Sequence, residues 1–219
     1  MTAGTRPPRI RIAIADDHPI VRRGLCHLVE RDCEVVAEVD SGDAIIALAP
    51  ECVCDVFVID LAMPGPGGLA VLKALRRLRP DVPVLVLSVS PEDQFALRAL
   101  KSGASGYLTK RSAPDELIDA IRRVAAGGLY VSAAIGRRLT DEIMRPPPRS
   151  GAAPAGLSDR EFEVLSMFAA GETVTAIGVR LGLSVKTIST YRRRLLTKLE
   201  LPNSAALIRY AIEHRILES

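Results

Sequence analysis

Asp16, Asp17, Asp60, Ser88 and Lys110 are far apart along the chain, yet together they are the side-chain types that phosphoryl transfer requires. Each stands at or just past the end of a short apolar run. Val56-Phe57-Val58-Ile59 stops on Asp60, and Pro64-Gly65-Pro66-Gly67-Gly68 forbids the run to continue. Carboxylates crowded together repel, and the cluster is tolerable only with a cation among them. Oxygen ligands from few protein groups, with room for water and phosphate, suit magnesium better than zinc or a full calcium cage. Asp60 could then attack a phosphate donor and become an aspartyl phosphate. Lys110 would offer a point charge to the phosphoryl oxygens, and Ser88 a hydroxyl donor. Taken singly, Asp60 reads equally well as a turn or helix-capping acid, Lys110 as a solvated lysine and Ser88 as a strand terminator. Their coincidence at successive strand ends favours chemistry.

The elements that must position these groups follow from periodicity. Arg9 to Ala15, with Ile10, Ile12 and Ile14 alternating, predicts a first strand that ends on Asp16 and Asp17. Pro19 opens a helix whose apolar positions recur at helical spacing. Glu34 to Val39 predicts a second strand and Asp43 to Ala49 a short helix. The uncharged run ending on Asp60 predicts a strand buried on both faces, followed by a helix from about Leu69 to Leu78. Pro83 to Ser88, Glu92 to Lys101, Gly106 to Leu108 and Pro114 to Ala126 continue the alternation as strand, helix, strand and helix. Such alternation makes a doubly wound α/β fold with a five-stranded parallel sheet, which binds ligands at the carboxyl edge of its strands.

Composition limits the alternatives. The 219 residues are 48% hydrophobic, enough for two modest domains with real cores. The longest apolar runs are far too short to span a bilayer, and Met1 to Arg9 lacks the apolar segment of a secretory signal, so a cytoplasmic location is expected. Cys26, Cys33, Cys52 and Cys54 lack the spacing of a zinc site and read as small hydrophobes. A net charge of +3 says little about nucleic acid, so the local charge pattern has to be read instead.

From Arg145 onward the sequence loses periodicity, and Pro146 to Gly156 reads as a semi-extended linker. The expected division is 9–128, a connecting helix and linker over 129–156, and an all-α unit over 157–219. In the last unit, Ser158 and Glu161 form a capping-box pattern ahead of an apolar run. Thr173 to Leu181, a Gly182-Leu183-Ser184 turn and Val185 to Leu199 then suggest a helix-turn-helix, with Ser204 to His214 as a further helix. Val185, Ile188, Leu195, Leu196 and Leu199 share one face of the basic helix. Lys186, Ser189, Thr190, Arg193, Arg194 and Thr197 share the other, and Arg192 is expected to snorkel or touch a phosphate. That outer face can offer arginine to guanine and hydroxyls to bases or phosphates of double-stranded DNA.

Ala15-Asp16-Asp17-His18-Pro19, Ile59-Asp60-Leu61-Ala62-Met63-Pro64 with Gly68, Leu87-Ser88 and Gly106-Tyr107-Leu108-Thr109-Lys110 resemble the receiver domain of two-component response regulators. The resemblance implies a flavodoxin-like receiver with Asp60 as phosphoacceptor. Magnesium would be held by Asp16, Asp17, Asp60 and the backbone carbonyl of Ala62, and Ser88, Tyr107 and Lys110 would sense the phosphate. Ser88 stands where many members have threonine, and its hydroxyl preserves the donor. Leu157 to Leu165, Leu183-Ser184, Thr187-Ile188 and Lys198-Leu199 resemble the LuxR-type DNA-binding domain, which places the whole chain with the NarL/FixJ class. Candidate DNA contacts are then Lys186, Thr187, Ser189, Thr190, Arg192, Arg193, Arg194 and Lys198. Val174-Thr175-Ala176, Ser189 and Tyr191 depart from common members and leave the target sequence open. Ser189-Thr190-Tyr191 followed by arginines is similar to the BvgA-type branch.

The resemblance implies a bacterial transcription regulator rather than an enzyme with small-molecule turnover. Its partners would be a sensor histidine kinase as phosphodonor, double-stranded DNA, a second copy of the chain when phosphorylated, and RNA polymerase. A haloacid-dehalogenase-type phosphohydrolase also uses a strand-end aspartate with magnesium. It would need an acid two residues later, where this chain has Ala62, and a substrate cap, which is not evident. An adaptor whose terminal helices bind protein is the remaining alternative.

Overall fold

A computed structural model describes residues 9–88, 92–111, 114–133, 135–137, 140, 156–214 and 216. Its first part alternates strand and helix: β1 (Ile10–Ala15), α1 (Pro19–Val29), β2 (Cys33–Val39), α2 (Gly42–Leu48), β3 (Val56–Asp60), α3 (Gly68–Leu78), β4 (Val84–Ser88), α4 (Glu92–Lys101), β5 (Gly106–Thr109) and α5 (Pro114–Ala125). The strands pair in parallel in the order β2-β1-β3-β4-β5. The order reverses between β1 and β3, and a doubly wound sheet opens its ligand crevice at that point.

Strand periodicity divides the core in two. Ala13, Ala15, Phe57 and Ile59 pack on one face of the sheet with α2, α3 and α4 residues. Ile12, Ile14, Val56 and Val58 pack on the other with α5 residues such as Ile121 and Val124. All residues of β3 are buried, which explains its unbroken apolar run. Cys33, Cys52 and Cys54 are buried and free, packed as the small hydrophobes expected, and burial is the main cause pushing the Cys54 thiol up to about 12. At the start of α3 only glycine fits position 68, because a Cβ there would collide with the Leu61 carbonyl.

The segment after α5 makes a pairing with the sheet before its connecting helix. Tyr130 returns to bridge Gly106, with the Tyr107 N–H donating to the Tyr130 carbonyl at 3.0 Å and the Tyr130 N–H to the Ser105 carbonyl at 3.1 Å. The returning chain satisfies backbone groups that the β5 edge would otherwise expose. Residues 133 and 135–137 are helical, as expected. Most of the expected linker, residues 146–155, lies outside the described residues.

The C-terminal part contains α6 (Asp159–Ala169), α7 (Val174–Leu181), α8 (Val185–Lys198) and α9 (Ser204–Glu213) around a core that includes Phe162, Leu165, Ile177, Ile188, Leu195 and Leu207. The capping box forms as the spacing predicts: the Ser158 Oγ accepts from the Glu161 N–H, and the Glu161 carboxylate accepts from the Ser158 N–H at 2.8 Å. Lys198 Nζ reaches the same carboxylate at 2.7 Å, which ties the end of α8 to the start of α6. Burial works against the ionised Glu161, but the Lys198 and Ser158 hydrogen bonds outweigh it and hold its pKa below the ordinary value. A depressed folded-state pKa stabilises above the unfolded value, and the contribution is lost as pH falls through the folded one. We therefore predict that Glu161→Ala costs about 1–2 kcal/mol at neutral pH, the scale of a lost cap. The difference from the parent should shrink in acid. Urea unfolding at neutral and acid pH checks both, and a cost that does not change with pH would remove the ionic part of the account.

The two parts touch through α6. The Phe95 and Phe162 rings meet edge-on with centroids 4.8 Å apart, and the Arg98 guanidinium lies 4.1 Å over the Phe162 ring. Lys73 pairs with Asp159 at 2.5 Å.

Candidate functional site

The sheet brings its acids to one edge. Asp16, just past β1, is fully buried, and Asp60 at the end of β3 is 2% exposed. Lys110 lies between them, its Nζ 2.6 Å from Asp16 Oδ2 and 2.6 Å from Asp60 Oδ2. Register explains how a residue so far along the chain arrives there. β4 and β5 pair Ser88 with Thr109, and the Lys110 N–H donates to the Ser88 carbonyl at 2.8 Å. Ser88 and Tyr107 are both buried, the tyrosine completely, so its ring points inward.

Local hydrogen bonds orient the carboxylates. The Ala62 N–H donates to Asp60 Oδ1 at 3.0 Å, so the Asp60 carboxylate is held by the backbone on one oxygen and by Lys110 on the other. The His18 N–H donates to Asp16 Oδ1 at 2.8 Å, and Arg22 donates to the Asp16 carbonyl at 2.6 Å. Burial alone would pull the Lys110 ammonium down; its two carboxylate partners outweigh that and raise its pKa above the ordinary lysine value. Acids crowded at this edge need a cation among them, the place expected for a metal. In the folded chain Lys110 already supplies one.

The same acids offer a hard cation a place. Asp16, Asp17, His18 and Asp60 each present a ligand atom, all within 4.8 Å of one another. Asp16 Oδ2 and Asp17 Oδ1 are buried, with Lys110 Nζ 2.6 Å from the first and His18 Nδ1 2.8 Å from the second, and both keep unused lone pairs. An oxygen-rich, partly open donor set of this kind fits magnesium. His18 was not assigned a role from sequence; its place in the Asp16-Asp17-His18-Pro19 run was the available signal.

The candidate nucleic-acid face lies on α8. Ser184 caps the helix by accepting from the Thr187 N–H at 3.1 Å, and its hydroxyl also meets the Thr187 hydroxyl at 2.8 Å. Ile188 and Leu195 are buried as their spacing predicts. Val185 departs from the expected apolar face and is 51% exposed, because it opens the helix at the turn. Lys186, Arg193 and Arg194 are exposed, while Ser189, Thr190 and Arg192 are half-buried. The Thr190 hydroxyl donates to the Lys186 carbonyl at 3.0 Å and keeps its acceptor lone pairs outward. Lys198, also expected among the DNA contacts, is exposed and pairs with Glu161 and with the Gly156 carbonyl at 3.1 Å.

Comparison with known proteins agrees with this architecture. Residues 12–122 match the response regulator receiver domain, and residues 155–211 match the bacterial regulatory proteins of the luxR family. The chain is 35% identical over 212 residues to response regulator GacA of Pseudomonas aeruginosa, spanning 96% of this chain and 99% of that one. It is 33% identical over 208 residues to response regulator UvrY of Escherichia coli K12, spanning 94% of each. A solved structure of the RcsB response regulator of Salmonella typhimurium superposes with a TM-score of 0.69 at 30% identity, over 96% of this chain and 99% of that one. The two-component response regulator RcsB in complex with DNA superposes with a TM-score of 0.57 at 30% identity, over 94% and 98%. The strand order, the acid-lined sheet edge, the helix-turn-helix and matches over nearly the whole chain lead to one conclusion: this protein is a two-component response regulator of the NarL/FixJ class, a DNA-binding transcription regulator and not an enzyme.

Proposed function

We propose that a sensor histidine kinase phosphorylates Asp60, and that this controls dimerisation and sequence-specific DNA binding by the C-terminal domain. The observation that carries the reading is the convergence of Asp16, Asp60 and the Lys110 ammonium at 2.6 Å on the edge where Asp17 and Ser88 also lie. In this reading residues 9–128 form the receiver, 129–156 the connection and 157–219 the DNA-binding domain. Asp16, Asp17, Asp60 and the Ala62 carbonyl hold magnesium, which neutralises charge on the transferring group when bound. Asp60 attacks the phosphoryl group, and the Lys110 amine, freed from one carboxylate oxygen, pairs with the new phosphate oxygens. Ser88 donates its hydroxyl to them, and Tyr107 reports the shift to the surface near α4.

The added group carries roughly two negative charges, a large local change against one half-buried lysine. It biases a two-state surface only by binding one state better. Paired domains on paired half-sites then multiply a modest single-domain affinity, so a homodimer is the binding form. Lys186, Thr187, Ser189, Thr190, Arg192, Arg193 and Arg194 face the duplex, and Lys198 joins them at a phosphate only by leaving Glu161. RNA polymerase is the further partner, and the cytoplasm the location, in keeping with the lack of any membrane-crossing helix among the described residues.

Acetyl phosphate with magnesium is expected to raise affinity for operator DNA, measured by fluorescence anisotropy at fixed salt. Equal affinity before and after phosphorylation would sink the switch. Arg193→Ala, on the exposed face of α8, should cost about 1–3 kcal/mol in duplex binding, the value of one base-reading arginine. Unchanged binding by that folded variant would favour a protein-binding adaptor instead.

A further inference from the structure

Phosphoryl transfer to Asp60 leaves the His18 side chain without a task, although the ring stands among the acids. It is 60% exposed, beside an Asp16 side chain that is 1% exposed. Its Nδ1 lies 2.8 Å from Asp17 Oδ1 and 3.6 Å from Asp16 Oδ1. Asp17 Oδ1 is buried and takes part in no hydrogen bond among the described residues, and the same holds for Asp16 Oδ2. A ring nitrogen that close to a carboxylate oxygen, with no hydrogen bond between them, has the arrangement of two ligands of one ion. Metal–nitrogen and metal–oxygen bonds of about 2.1 Å set neighbouring ligand atoms roughly 3 Å apart. Those of Asp16, Asp17, His18 and Asp60 all lie within 4.8 Å of one another.

The backbone fixes the ring at this place. His18 is the extended N-cap residue of α1, and its N–H donates to Asp16 Oδ1 at 2.8 Å. Its side chain makes no capping hydrogen bond. Pro19 opens the helix and brings no N–H that would call for one, so the imidazole is not engaged by the helix end.

We propose that the acceptor site also takes a divalent transition ion of the zinc type, with His18 Nδ1 as a ligand beside Asp16, Asp17 and Asp60, in competition with magnesium. This rests on the reading of these acids as a metal site. Imidazole suits zinc, copper, iron and nickel, whereas magnesium keeps to oxygen. Carboxylates alone serve both kinds of ion, and one added nitrogen tilts the set toward the softer kind. Charge permits either. Three carboxylates against the Lys110 ammonium leave a formal excess of two negative charges, which one dication cancels. The two ions leave the site in different conditions. Magnesium binds through few protein groups and keeps several waters, which phosphoryl oxygens can replace. A zinc ion held by four protein ligands has no such open position. With His18 as the fourth ligand, zinc occupies the acids without serving transfer, and the balance of the two ions sets how much of the acceptor is open to a phosphodonor.

The test uses the full chain and titrates zinc and magnesium separately by calorimetry, in the parent, His18→Ala, His27→Ala and Asp17→Asn. His18→Ala is expected to weaken zinc roughly tenfold or more, the lower end of what even an outer partner of a metal ligand commands. Magnesium, which takes no nitrogen here, should shift less than about threefold, and that result also shows that the acids of the variant remain in place. Cobalt(II), as a coloured stand-in for zinc, should give visible absorption bands that change when His18 is replaced. His27→Ala removes an exposed imidazole of α1 that pairs with Glu30 at 3.1 Å, and should leave zinc affinity as it is. In the presence of magnesium, zinc should suppress uptake from acetyl phosphate, followed by intact mass. His18→Ala should need roughly tenfold more zinc for the same suppression. Unchanged zinc affinity in His18→Ala, equal losses for zinc and magnesium, or the same zinc loss in His27→Ala would overturn the proposal. No magnesium binding by the parent, or magnesium binding that Asp17→Asn leaves untouched, would overturn the reading of these acids as a metal site, and this inference with it.

Discussion

Asp60→Asn is expected to take up no phosphoryl group from acetyl phosphate and to bind operator DNA with the same affinity whether or not the donor and magnesium are present. The amide keeps an oxygen to accept from Ala62 N–H, a bond now made to Asp60 Oδ1 at 3.0 Å, so the loop retains its local anchor. What disappears is the anionic oxygen that attacks phosphorus, because a neutral amide is too weak a nucleophile for the step. The replacement also sets an amide N–H where Asp60 Oδ2 receives Lys110, a donor against a donor. Lys110 keeps Asp16, so the variant should fold with a cost of about 1–3 kcal/mol, the scale of one lost charged hydrogen bond. Intact mass after incubation and anisotropy with a labelled duplex are the measurements. A phosphorylated Asp60→Asn chain would mean that the acceptor is elsewhere.

Lys110→Met is expected to produce the larger stability loss. The Asp16 and Asp60 side chains are each 1% exposed, and Lys110 Nζ sits 2.6 Å from both. Removing the ammonium leaves buried carboxylates facing one another without their cation, a loss of about 3–5 kcal/mol for a broken buried pair. Magnesium should stabilise the variant more than the parent, since the cation takes the place of the ammonium between the same oxygens. Urea unfolding with and without magnesium reads both the loss and its relief. A cost below about 1 kcal/mol would show that solvent already screens the site and that Lys110 is no structural counter-ion.

Much of this was legible in the linear chain because it depends on neighbours a few residues apart. The alternation in Ile10, Ile12 and Ile14, the unbroken apolar β3 and the Ser158-x-x-Glu161 box are local patterns, and the elements formed within a residue or two of their expected bounds. Val185 shows where such arithmetic stops, because a residue on the apolar side of a helix is buried only if something packs over its first turn. Tyr130 shows the same for the sheet. Its pairing with Gly106 answers the demand of an open strand edge, and nothing in its own segment announces a strand.

By itself, the amino-acid order determined the doubly wound sheet, the basic helix of the C-terminal unit and the set of acids, hydroxyl and amine that strand ends deliver to one edge, since backbone period and turn chemistry are encoded over a few residues. Only the tertiary structure decided that Lys110 serves as counter-ion to Asp16 and Asp60 at once, that His18 joins the acids, and that Arg160 donates to the Gly65 carbonyl in the loop beyond Asp60. The Arg160 to Gly65 contact spans 95 residues of chain. At that separation no spacing rule links one partner to the other; the pairing is chosen by which surfaces pack together and which buried charges and backbone groups still need a partner once they do.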